Sequence, residues 1–131
     1  MRGSQYRRKI DCVASKLGDL PPNLDDEYQF EALLYRLHTS IEAIMSIVAM
    51  LVKDFGFEVG DDCSNVERLE SGGVIKRGVA DFLRKLNGLR NAIAHKYDKF
   101  DESVVRGELG DVVTGIFEFL GVVEDVLREI P

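Results

Sequence analysis

Cysteine is nearly absent from the sequence. Cys12 and Cys63 are the two in 131 residues, far apart and without Cys or His neighbours at metal-ligand spacing. That spacing excludes a disulfide scaffold and a zinc site, and two reduced thiols point to the cytoplasm. Proline is scarce as well, with three residues, while the apolar fraction of 45% is that of an ordinary globular chain rather than a disordered one. Long hydrophobic runs are missing. The longest candidate, 41–52, carries Glu42 and is flanked by Lys53 and Asp54, so it falls short of the roughly 18 apolar residues that span a membrane. Basic residues open the chain (Arg2, Arg7, Arg8, Lys9), but no apolar stretch with a small-residue cleavage site follows them, and a secretory signal is not expected. Residues 1–4 are read as a leader without function. Excess positive charge is also lacking. The net charge of −6 excludes tight, sequence-blind adhesion to nucleic acid, which rests on many phosphate-neutralising cations, so any RNA contact must come from a local basic patch.

What is present is helical periodicity. From Phe30 onward, Leu33, Leu34, Leu37, Ile41, Ile44, Met45, Val48, Leu51, Val52 and Phe55 recur at steps of three and four, the pattern of one long amphipathic helix. Asp25 and Asp26 stand where a helix start attracts carboxylates, and Gly56 stands where a left-handed stop is expected. A polar stretch, 58–73, follows; Ser64 with Glu67 has capping-box spacing and predicts one or two helical turns inside this connection. Ile75, Val79, Phe82, Leu83, Leu86, Leu89 and Ile93 then mark another helix. Asp101 and Ser103 are expected to cap a last one, with a stripe of Val104, Val105, Leu109, Val112, Val113, Ile116, Phe117, Leu120, Val123 and Leu127. The opening segment, 6–17, has Ile10, Val13 and Leu17 at helical spacing before the Pro21-Pro22 break. The expected fold is all-α: an up-and-down antiparallel four-helix bundle, with one short extra helix in the second connection, forming a single domain over residues 1–131.

The chemistry concentrates in residues 89–98, Leu-Arg-Asn-Ala-Ile-Ala-His-Lys-Tyr-Asp. Arg90 is a permanent cation with a planar donor fork suited to phosphate; His95 brings an imidazole, which can both take and give a proton; Tyr97 offers a phenolic oxygen. In a regular helix a separation of five residues sets Arg90 and His95 about 140° apart. Either the helix loosens before His95, or the two groups meet across a subunit interface, where a symmetric dimer supplies two of each.

The Arg-x4-His-x-Tyr pattern, at the end of the third main helix of such a chain, resembles the HEPN superfamily, and specifically its HepT-like toxins. The Arg90-Asn91 pair, the His95-Lys96-Tyr97 triplet and the acidic positions Asp98 and Asp101 carry the resemblance, which extends over residues 27–127. It implies a toxin-antitoxin component: a metal-independent endoribonuclease whose catalytic Arg90 and His95 act at a homodimer interface. It also implies that a minimal nucleotidyltransferase antitoxin silences the toxin by adding AMP to Tyr97. Asn91 is then a supporting polar residue. The substrate is RNA, tRNA among the candidates, and no cofactor, metal or membrane is called for. The alternative is a non-catalytic HEPN module that binds a nucleotidyltransferase partner or a nucleotide.

Other residues compete for attention. Lys76, Arg77, Arg84, Lys85, Lys96 and Lys99 lie in or around the third main helix and form either a local RNA-contacting patch, with Lys96 and Lys99 nearest the motif, or a plain solvated face. His38, beside Leu37, lies off the main apolar stripe and reads as a solvated or interface residue rather than a second catalytic one. Glu42, Asp54, Asp61 and Asp62 form no spaced ligand set for a metal.

Overall fold

The computed structural model describes residues 2–95 and 102–130, and all of its regular structure is helical. The elements are α1 (Arg2–Gly18), α2 (Glu27–Asp54), α3 (Asp62–Ser71), α4 (Arg77–Ala94) and α5 (Glu102–Leu127). Four of them close a ring in which α1 packs on α2, α2 on α4, α4 on α5, and α5 back on α1. The short α3 lies in the second connection, against α2 and α4. Cross-helix bonds give the directions. The phenol of Tyr6, near the start of α1, donates to Asp54 at the end of α2 (2.6 Å). Arg7 reaches Glu124 near the end of α5 (2.6 Å), and Lys85 in mid-α4 meets Glu108 early in α5 (3.5 Å). Neighbours around the ring therefore run antiparallel, the topology expected of short connections. The expected four helices and the short extra one are all found. α1 starts earlier than the apolar spacing indicates and takes Gly3 and Ser4, read above as leader, into the helix.

α2 is the central element. Asp26 caps its start, accepting the Tyr28 N–H, and Gly56, at φ 85, turns the chain out of the helix. Because α2 packs against α1, α3 and α4, its buried surface is wider than a single stripe: Ile47 and Met50 are buried beside Leu33, Leu37, Ile41, Ile44 and Leu51. Each fully buried aliphatic side chain contributes roughly 1.5–3 kcal/mol relative to exposure. Length and composition alone would let α2 cross a membrane, but 56% of its most apolar window is already buried inside the bundle.

Two expectations about helix ends are corrected. Ser64 does not open α3. Asp61 is the cap, its carboxylate accepting the Ser64 N–H at 2.8 Å, and Ser64 sits within the first turn of a ten-residue helix. A charged acceptor three residues upstream outcompetes the hydroxyl. Asn65, buried, then fastens the loop by taking the Gly60 N–H (2.8 Å) and donating to the Gly60 carbonyl (3.1 Å). At α5, Ser103 lies inside the helix rather than at its cap, and Asp101 falls outside the described residues. The stripe expected there also shifts. Val104 and Phe117 are exposed, while Phe119 and Val126 are buried in their place, because α5 packs mainly on α1 and α4 and needs a narrow inward face.

The Ser64 N–H bond holds the Asp61 carboxyl below its ordinary value of 3.8. A depressed carboxyl stabilises the fold fully above that ordinary value, and the contribution disappears as pH falls through the folded-state value. The gap in thermal midpoint between wild type and Asp61→Ala is therefore expected to stay constant at neutral and mildly acidic pH and to close below 3.8. A pH series of melting curves on both proteins measures it; a gap that persists into strong acid would contradict this account.

Candidate functional site

α4 buries Ala80, Leu83, Leu86 and Ile93. This inward face leaves Arg90, one turn beyond Leu86, at the rim of the bundle where α2, α3 and α4 converge. Its side chain is only 16% exposed. Nη1 lies 3.0 Å from a Glu42 carboxylate oxygen on α2 and 2.9 Å from one of Asp62, the first residue of α3. Nη2 donates to the Asn87 carboxamide oxygen at 2.8 Å, and the Asn87 amide nitrogen points back to the Cys63 sulfur at 3.6 Å. The short helix thus has a purpose in the architecture, since it delivers Asp62 to Arg90.

His95 is the first residue past α4. With φ −112° and ψ 32° it leaves the helical path and closes the end, its backbone N–H bonding the carbonyls of Asn91 and Ile93. α4 is regular up to Ala94, so the helix does not loosen ahead of His95. Arg90 is held by Glu42, Asp62 and Asn87 on the α2–α3 side, while His95 stands exposed at the helix end. Of the two routes that could unite them, an unwound helix is excluded. Asn91 is exposed, and its carbonyl serves the cap. Tyr97, Lys96, Lys99 and Asp98 lie outside the described residues.

The cations of α4 that could have formed an RNA-contacting stripe have acidic partners. Arg84 meets Glu70 at 2.7 Å and Asp81 at 2.9 Å, and these bonds raise its already high pKa. Arg77 faces Asp81 at 3.9 Å and Lys85 faces Glu108. Among the described residues these α4 cations are paired with acids, and Lys76 is exposed just ahead of the helix. His38 is half-buried on α2, one turn before Glu42 and therefore on the same side of that helix. Among the described residues no group of three or more His, Cys, Asp or Glu side chains is placed to hold a metal ion. Glu42 and Asp62 do converge, but on a guanidinium. A largely apolar groove of about 410 Å³ between α4 and α5 is lined by Val79, Phe82, Phe119 and Val122, with Lys76 and Glu118 beside them.

Sequence reasoning named Arg90 and His95 but missed the partners of Arg90. Glu42 and Asp62 are 20 positions apart on different helices, and no spacing rule connects them. The one available signal was weak: an acid at the first turn of a short helix is ordinarily explained by the helix dipole alone.

Fold and site together define a HEPN-type protein, a helical bundle with Arg-x4-His closing its third long helix. The family model described as HepT-like, Ribonuclease HepT-like, matches residues 18–123. A candidate RNase of Archaeoglobus fulgidus is 40% identical over 130 residues, covering 99% of this chain and 98% of that protein. The chain belongs to the HepT-like ribonuclease family. The same fold is found in a solved toxin-antitoxin structure with AMP-PNP (TM-score 0.72, 18% identity, 95% of each chain). It is found again in a tri-AMPylated HEPN toxin of Shewanella oneidensis in complex with an MNT antitoxin (TM-score 0.70, 19% identity, 95% of this chain and 94% of that one).

Proposed function

We propose that this protein is the toxin of a toxin-antitoxin pair, a metal-independent endoribonuclease of the cytoplasm that works as a homodimer. The observation that carries the reading is the placement of a fixed guanidinium on α4 and an exposed imidazole just past its end, five positions apart. Two chains facing each other would bring two guanidinium and two imidazole groups to one phosphate. A neutral imidazole takes the proton from a ribose 2′-hydroxyl, whose oxygen attacks the phosphorus. The 5′-oxygen leaves with a proton from the imidazolium, and the product is a 2′,3′-cyclic phosphate. Arg90 stabilises the charge that gathers on the phosphorus oxygens. A nucleotidyltransferase antitoxin would silence the toxin by placing AMP on Tyr97, two residues from the imidazole, where an added phosphate blocks RNA by bulk and by charge.

Incubating purified wild type with total RNA and tRNA in EDTA tests this directly. Cleavage that leaves cyclic-phosphate ends, and spares DNA, is the expected result. A second reading has its own observation. Because Arg90 already has two carboxylates on one nitrogen, the cluster would also suit a non-catalytic module in which Arg90 only ties three helices together. Absence of cleavage by a folded, unmodified dimer would move the assignment there.

A further inference from the structure

A guanidinium has five N–H donors, two on each Nη and one on Nε. In this structure Arg90 Nη1 lies 3.0 Å from a Glu42 carboxylate oxygen and 2.9 Å from one of Asp62, and one donor of Nη2 is committed to Asn87. A phosphate that binds the Nη1–Nη2 fork in the usual two-point manner therefore meets two anions already in place. The two carboxylates are not equivalent. Asp62 is two-thirds buried and sits in the first turn of α3, where the helix dipole favours its charge; the Glu42 side chain is 54% exposed and can rotate into water from mid-α2.

We propose that Glu42 is an internal stand-in for the substrate phosphodiester: it occupies the outer position on Arg90 in the free protein, and RNA gains the fork by displacing it. Asp62 and Asn87 remain as the anchor that keeps the guanidinium aimed. The free site is thereby kept neutral to negative, which suits a chain of net charge −6 that must not adhere to every nucleic acid it meets. Glu42 under this account is a competing residue and takes no part in proton transfer. The inference deepens the ribonuclease reading and rests on it for the identity of the ligand, but it is tested by binding alone.

The experiment measures fluorescence anisotropy of a labelled 2′-O-methyl single-stranded oligonucleotide, which lacks the attacking hydroxyl, at low constant salt. Wild type is compared with Glu42→Gln and with the double variant Glu42→Gln/Arg90→Gln. Removing an exposed competing charge is expected to tighten Kd by about five-fold, and the gain should vanish in the double variant. Equal, weaker or undetectable binding by Glu42→Gln would overturn the proposal, because Glu42 would then only position Arg90, with phosphate using the Nε edge. A gain that survives loss of Arg90 would overturn it too, as a general charge effect. The two readings fail separately. A wild type that cleaves RNA beside an unimproved Glu42→Gln removes only the competition, and Arg90-dependent tightening without any cleavage removes only the catalysis.

Discussion

His95→Ala is expected to slow RNA cleavage by about 10²–10⁴-fold, the range associated with a positioned general acid or base, while the thermal midpoint stays close to that of wild type. The two halves of the expectation have separate grounds. The imidazole is exposed and lies beyond the last helical residue, so its removal opens no cavity. Residue 95 closes the helix through its backbone, since its N–H bonds the carbonyls of Asn91 and Ile93, and alanine keeps that N–H. Arg90→Ala is a less clean comparison. It would strand Glu42 and Asp62 side by side without their cation, and stability would fall along with activity. Single-turnover cleavage in EDTA, on wild type and His95→Ala of matched oligomeric state, gives the answer. An alanine variant that keeps wild-type rates would remove His95 from the chemistry and leave Arg90 and the proposed AMP acceptor Tyr97 as the reasons to single out this segment.

The parts of this molecule that could be read from sequence were those governed by local rules. α2 announced itself through ten apolar residues at helical steps, bounded by Asp26 and Gly56, and both boundary residues act as expected, one as an accepting cap and the other at positive φ. α3 was legible as existing but not in its start, because Ser64–Glu67 has capping-box spacing and only the three-dimensional arrangement shows that the Asp61 carboxylate reaches the free N–H. In α5 the apolar residues outnumber the inward positions, so periodicity could not separate Val105, which is buried, from Val104, which is half exposed. The site divides in the same way. Arg90 and His95 sit close in sequence and could be named as a pair, whereas the carboxylates that hold Arg90 come from α2 and α3 and meet it only because the bundle closes. The charges of α4 were ambiguous until their partners Glu70 and Glu108, supplied by other helices, were seen.

Leu86→Ala should destabilise the protein by about 2–5 kcal/mol, whereas Val104→Ala should change stability by less than about 0.5 kcal/mol. Both positions carry apolar side chains on helical stripes, and sequence alone ranks them together. Leu86 is fully buried on the face of α4 that meets α2, one turn before Arg90, so truncation removes transfer energy and leaves a cavity in a closely packed interior. Val104 is 50% exposed in the first turn of α5, where little of its surface has left water. Urea unfolding measures both, and a lower midpoint at unchanged slope identifies the loss as one of stability rather than of compactness. The position of Leu86 gives the experiment a functional consequence. The ion pairs of Arg90 with Glu42 and Asp62 need α4 held against α2 and α3, so a cavity one turn away should also slow cleavage at temperatures where the variant is still folded. If Leu86→Ala unfolds earlier yet cleaves at the wild-type rate while folded, then the anchoring of Arg90 by Asp62 and Asn87 is sufficient without the packing beneath it.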